Sequence, residues 1–531
     1  MIKKNIFIII MLSFMALSCS SKSSSNENNS IVISLGGEVA TIDPHLNTAS
    51  AGTVYIRHFF EGLMKKDKDS NLVGGMAEDY KMSEDGLSYI FYLRTNAKWS
   101  DGKPVTADDF VYSYRRFVDP KTAAPYASLM APVKNALKIA KGEMSTEELG
   151  IKKIDDYTLE ITLENPTAYF LELADMFVPV RKDIIEEYGD TWVQTPESYI
   201  GNGPYKMTER VRDDKIVMEI NTNYYDKDKL VAKNITVSMV ADKNTALAAL
   251  RNGQIHFSTL VPNQEIENLQ KEGLIVMNQA YGTTFFEINL TNEAFSDSRV
   301  RRALALAIDR NYITESVNKA GQIPAGAFVP PLISDYKGEF RANGGDYISV
   351  NTNEYQKNIE EAKKLMAEAG YPNGENYPVI EVLVANDGNV VMVEAIQQMW
   401  KNIGVDAVIV PREWSVILQS FRDLSYQMVL SGWTGDYNDP MTMLELYLSY
   451  APSNPGYNNP EYDKLIESSK YIVNPEERMK VLHDAEAILM YDMPIIPIHY
   501  RSNVLMVDKK LKDYKLDPLA KYRFHYSYLE K

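Results

Sequence analysis

Residues Ser431 to Pro440 read SGWTGDYNDP and set the carboxylate of Asp436 two residues after a Trp-Thr pair, among Gly, Tyr and Pro. Gly, Asn, Asp and Pro each favour turns for separate steric reasons, so a solvated turn acid is one reading. An acid that fixes a cationic group of a bound molecule is the other. Residue types that carry catalysis lie apart elsewhere in the chain. The six histidines, His45, His58, His256, His483, His499 and His525, form neither HExxH nor a paired metal spacing. GxSxG, GxxxxGK[ST] and a GxGxxG after a strand are missing. Close carboxylate pairs such as Asp108/Asp109 say little in a chain with 72 acids, and this pair already has a structural use at a helix start. General acid–base catalysis has no motif behind it, so the chain reads as a non-enzyme, and no metal or cofactor is expected.

The elements that must hold such residues follow from periodicity. IVISLGG (31–37) and YIFYLR (89–94) read as strands. TADDFVYSYRRFVDP opens with a capping box between Thr106 and Asp109, continues with Phe110, Tyr114 and Phe117 at helical spacing, and stops at Pro120. Val300, Ala303, Leu304, Ala307 and Ile308 share one helical face. Ile359, Ala362, Leu365, Met366 and Ala369 share another, closed by Gly370 as a left-handed cap and by Pro372. A strand at 379–385, a helix over VVMVEAIQQMW and a strand over GVDAVIV complete a helix–strand alternation, which predicts an α/β lobe between about Arg299 and Pro411.

At 531 residues the chain is too long for one compact core, and two or three domains are expected. Hydrophobic residues at 45% and charged ones at 24% place it among folded soluble chains rather than disordered ones. The start, MIKKN followed by IFIIIMLSFMAL and SCS, has the order of a secretory leader, and its apolar run is shorter than the roughly 20 residues of a spanning helix. Cys19, the single cysteine, excludes an internal disulfide. Its position just past the apolar run fits a lipid-acceptor cysteine, although Ala16 stands where lipoprotein signals usually carry Leu; an ordinary cleaved leader is the alternative. Acyl chains at about 0.8 kcal/mol per buried methylene would then hold the mature chain to a membrane surface. SSKSSSNENNS reads as a flexible tether. The net charge is −16, or −18 without a leader carrying Lys3 and Lys4, and no basic cluster offsets it, so nucleic acid is not an expected partner.

Three stretches, Trp99 to Ala127, Phe285 to Arg310 and SGWTGDYNDP, resemble in order and wording the family 5 solute-binding proteins of ABC importers, the oligopeptide-binding family. The likeness runs from TIDPHLNTA at Thr41 to PIIPIHY at Tyr500. It implies an α/β, two-lobed periplasmic-binding-protein fold (type II, cluster C) with a hinge and an extra domain. The division implied is a leader over 1–18, the lipidated Cys19 and tether over 19–30, and lobe I over 31–60, 185–281 and 499–531. The extra domain spans 61–184 and the third lobe 282–498. The resemblance assigns Asp436 to the α-ammonium of a bound peptide, and Gly432 to backbone pairing. Trp433 and Trp414 fall at walls of side-chain pockets, and Tyr126 and Arg57 at contacts near the ligand. Thr48 and Ser50 stand where the best-known relative has an acid and an apolar residue. Leu430 and Phe421 replace its basic residues at peptide C-termini, with Arg422 one step away; Asn389 replaces a histidine, and Gly282 and Thr434 occupy the positions of a family disulfide.

The function so implied is capture of oligopeptides for an ABC transporter permease by a monomer, in the periplasm or at the surface of a bacterial cell, lipid-anchored to a membrane. Alternatives are another solute on the same fold (dipeptide, signalling peptide, metal complex or haem), a surface hydrolase, or an adhesin.

Overall fold

The structure, a computed structural model, describes residues 29–386, 389–452 and 454–531; the leader, Cys19 and most of the tether lie outside the described residues. No helix among them is long and apolar enough to cross a membrane.

One sheet of eleven strands runs through the molecule. At its centre lie two long antiparallel strands, Ile275–Ile288 and Ile495–Val507. Beside the Val507 end come Phe257–Ser258, Ser30–Ser34, Asn234–Ser238, Lys215–Ile220 and Tyr205–Val211, in that order. Beside the Ile288 end come Met428–Thr434, Ile380–Ala385 and Ala407–Arg412. The two halves of the sheet therefore hang from opposite ends of one two-stranded ribbon. Between those ends the ribbon's pairing slips: Gln279 faces Ser502 and Thr283 faces Tyr500, so Ala280, Tyr281 and Gly282 oppose Arg501 alone. Such a bulge bends and twists a strand pair, and here it lies between the two halves of the sheet.

The anticipated elements form with some ends shifted: the helix before Ala307 and Ile308 stops at Leu306, and the strand expected over 31–37 stops at Ser34. The first strand begins at Ser30, and Asn29 already donates its side-chain amide to the Val231 carbonyl at 2.9 Å. Helix Ala107–Val118 starts after Thr106, whose backbone N–H donates to the Asp109 carboxylate at 2.8 Å, while Phe110, Tyr114 and Phe117 are buried. Helix Ser298–Leu306 buries Val300, Ala303 and Leu304. Helix Tyr355–Glu368 ends before Gly370, whose φ of +97° is the left-handed conformation expected of it. The parallel pairs 380–385 with 407–412 and 382–383 with 428–429 are joined through helices Val390–Trp400 and Trp414–Asp423. Buried Trp400 ties that layer to helix Ser298–Leu306 by donating to the Leu304 carbonyl at 3.0 Å. A separate four-stranded antiparallel sheet lies within 77–162, its strand Ser88–Leu93 burying every second side chain.

Candidate functional site

The loop Gly435–Pro440 is held from several sides. Strand Met428–Thr434 delivers it, and Gly435 fits because a Cβ there would come 2.7 Å from the Thr442 methyl. The Asp436 backbone N–H donates to Thr442 Oγ1 at 2.9 Å, and Trp433 Nε1 donates to the Thr442 carbonyl at 2.9 Å. Asn438 and Ser334 exchange two bonds of 2.8 and 2.9 Å. Tyr437 donates to Glu445 at 3.0 Å. Asp439 accepts a two-pronged bond from Arg478, at 2.7 and 2.9 Å, with both side chains about 5% exposed or less.

The Asp436 carboxylate is the exception. Among the described residues it has neither a hydrogen bond nor an ion pair, yet it is half-buried in the wall of a cavity of about 270 Å³. Burial pushes its pKa above the ordinary carboxylate value, with the charge of Lys521 acting the other way. A buried carboxylate without a partner costs stability unless something cationic completes it.

The same cavity gathers four more of the anticipated residues. Thr48 and Ser50 line it, carried by the start of helix Ser50–Phe59 and the turn before it. That turn is anchored behind by Asp43, which accepts from Arg116, from Trp192 Nε1 at 3.0 Å and from the His45 N–H at 2.8 Å. Tyr126 is 40% exposed, and burial followed by the Asp436 charge raises its phenol pKa. Arg57 lines the wall too, but its guanidinium is engaged by Asp175 at 2.6 Å.

Gly432 and Trp414 lie instead on a larger cleft of about 1040 Å³, with Leu430, Asn389 and Arg501. Trp414 is 47% exposed there, at the first turn of its helix. Trp433 lines neither space; it packs against the core beside Thr442. Phe421 packs among Leu383, Ile417 and Tyr426, and Arg422 bonds to Gln419 on its own helix. Gly282 and Thr434 face each other in register across two strands, where the resemblance pairs them.

Strand Met428–Thr434 has one incomplete edge. Its full length pairs with Gly282–Ile288, but on the other side pairing stops at Leu383 with Val429, and no strand among the described residues covers that edge from Leu430 to Thr434. Unpaired backbone groups of this kind accept an added strand.

Two cations of the site were not anticipated. Lys521, half-buried between the first cavity and a neighbouring one, has no ion pair within 4 Å among the described residues; burial lowers its pKa. Arg501 lies in the larger cleft, its side chain bonded among the described residues only to Thr434. In sequence each is a lone basic residue beside an apolar or turn segment, with no local pattern to mark it. No group of three or more His, Cys, Asp and Glu among the described residues is arranged to hold a metal ion.

Residues 71–455 match the model of bacterial extracellular solute-binding proteins, family 5 Middle. The periplasmic oligopeptide-binding protein OppA of Salmonella typhimurium is 33% identical over 505 residues, which cover 93% of this chain and 91% of that protein. Among solved structures, Haemophilus influenzae OppA in complex with the peptide RPPGFSPFR superposes with a TM-score of 0.76 at 32% identity, covering 95% of this chain and 99% of that one. The unliganded open form of the murein tripeptide-binding protein MppA superposes with a TM-score of 0.82 at 32% identity, covering 95% and 98%. A likeness of this extent, carried by sequence and fold together, makes the chain a member of the family 5 bacterial extracellular solute-binding proteins.

Proposed function

We infer that this chain captures oligopeptides outside the cytoplasm and presents them to an ABC importer, without catalysis. The observation that carries the reading is the unpartnered Asp436 carboxylate at the end of an uncovered strand edge. A free peptide brings one obligate cation, its N-terminal ammonium, and a repeating backbone. Asp436 pairs with the first, by a charge-assisted bond worth roughly 1.5–3 kcal/mol. The edge at Leu430–Thr434 pairs with the second without reading side chains. Thr48, Ser50 and Tyr126 ring the ammonium end, Trp414 offers a flat apolar wall to a side chain, and Trp433 supports the loop from behind. Names of the similar proteins, oligopeptide and murein peptide binders, support the same ligand class.

In this reading the bulged ribbon at Gln279–Thr283 is the hinge between lobe I (31–60, 185–281, 499–531) and the lobe 282–498, and 61–184 is the extra domain. Peptide binding selects the closed state, which a permease then reads. Anchoring of a monomer through a lipid on Cys19 belongs to this reading as well; Cys19 is outside the described residues.

Native mass spectrometry of the protein purified without refolding, followed by denaturation to identify what it carried, tests the reading. A spread of co-purified short peptides supports it. One discrete non-peptide mass, or an empty protein that no peptide pool stabilises, rejects it. N-acetylated peptides should bind far more weakly than their free-amine forms, and equal binding removes Asp436 as the anchor.

A further inference from the structure

We propose that Arg501 is a second charge anchor, which binds a carboxylate on the ligand close to its N-terminus and makes this protein selective for peptides carrying an acidic group there. The proposal deepens the peptide reading and rests on it.

The placement of Arg501 is built. It stands alone opposite the three bulged residues Ala280, Tyr281 and Gly282, and a bulge re-aims the side chain that faces it. Its side chain then crosses the neighbouring strand at Gly282 to the strand beyond, where Nη1 donates to Thr434 Oγ1 at 3.0 Å. Gly282 clears that path: a Cβ there would sit 2.8 Å from Arg501 Cδ and as close to the Trp433 carbonyl oxygen, although its φ does not itself demand glycine. A Cβ on Gly432 would only touch the guanidinium carbon, at 3.5 Å.

The guanidinium is also under-used. It offers five N–H donors in a planar fork suited to a carboxylate, and one bond to a threonine hydroxyl is all it makes among the described residues. Among the described residues no Asp or Glu lies within 4 Å of it, whereas Arg57 has Asp175 and Arg478 has Asp439. Surrounding protein weakens its hold on the proton. Water reaches it through the cleft, so a ligand does too.

Register sets the position of the ligand carboxylate. Thr434 precedes Asp436 by two residues, and extended chain advances about 3.3 Å per residue. A peptide held by its ammonium at Asp436 and running back along the open edge therefore brings one of its first three residues to Arg501. The carboxylate is either an acidic side chain there or the C-terminus of a dipeptide.

The test is calorimetry on the purified protein with C-terminally amidated alanine pentapeptides carrying Asp, or Asn as the neutral isostere, at residue 1, 2, 3 or 4. Ala-Ala and Ala-Ala-amide are added to distinguish the C-terminal source. In the wild type we expect Asp to be preferred at least tenfold over Asn at one of residues 1–3, or Ala-Ala over its amide by the same margin. Arg501→Met should reduce that preference below twofold while binding of the Asn peptides stays within threefold, and Arg501→Lys should restore part of it. Equal binding of Asp and Asn peptides together with equal binding of Ala-Ala and its amide overturns the proposal and leaves the peptide reading intact. So does a preference that survives Arg501→Met, or one that is abolished by Lys521→Met and not by Arg501→Met. Failure of every peptide to bind overturns the peptide reading and this proposal together.

Discussion

The rings of Tyr169 and Tyr437 stack with centroids 4.1 Å apart and planes 8° from parallel, joining the segment that carries the four-stranded sheet to the loop that carries Asp436. Such a pair is worth about 0.5–1.5 kcal/mol beyond the area it buries. A double-mutant cycle with Tyr169→Leu and Tyr437→Leu, read by urea denaturation, should give a coupling energy in that range. A coupling near zero would mean that the two segments touch without holding each other.

Asp439 and Arg478 form a bidentate pair almost sealed from water. Removing one partner leaves the other charge buried alone, so Arg478→Met should cost about 3–5 kcal/mol of folding stability. Asp439→Asn with Arg478→Met should recover part of that loss, because the orphaned charge is gone. Denaturation midpoints of the three variants check the prediction, and a single mutant as stable as the wild type refutes it.

Asp436→Asn should weaken peptide binding by about 1.5–3 kcal/mol with little change in stability, since the carboxylate has no partner among the described residues to lose in the free protein. Binding should also depend on pH. In the free protein burial raises the Asp436 pKa, and the ligand ammonium lowers it again, so affinity is full above the raised value and falls as pH drops through it. The peptide amine, with an ordinary pKa of about 8, imposes a second fall on the alkaline side. Calorimetry across this span should show the acid limb vanish in Asp436→Asn; an unchanged limb would place the titrating group elsewhere.

Glu287 is buried on strand Ile275–Ile288, accepting bonds from Tyr426 at 2.9 Å and Tyr447 at 3.4 Å, and burial pushes its pKa up to about 7. The folded state thus holds this proton more tightly than the unfolded chain. Its contribution to stability is present below the unfolded value near 4.5 and is lost as pH rises towards 7. Glu287→Gln keeps the shape without the charge: its Oε1 accepts from one tyrosine and its Nε2 donates to the hydroxyl of the other. It should stabilise the protein by about 2–3 kcal/mol at pH 8 and by little at pH 4, as thermal melts at the two values will show.

Sequence alone determined the local elements. The pattern around Phe110, Tyr114 and Phe117 needs only a 3.6-residue period and a stop at Pro120, and the cap at Gly370 only the left-handed φ that glycine tolerates. It also singled out SGWTGDYNDP, and through resemblance the family and Asp436. Whether Asp436 or Asp439 is the free acid was not legible in it. Both sit in the same turn-forming loop, and the difference is Arg478, 39 residues away, which meets one and not the other. Trp433 and Trp414 were equally alike as pocket walls, until the pleat and the helix start turned one toward Thr442 and the other to the cleft. Arg501 is a lone charge after an apolar run until the ribbon's slipped register carries it over Gly282 to Thr434, 67 residues away in the chain. Periodicity encodes what neighbours in the chain do to one another. Partners for charges come from strands and helices that only folding brings side by side, and there tertiary structure made the decision.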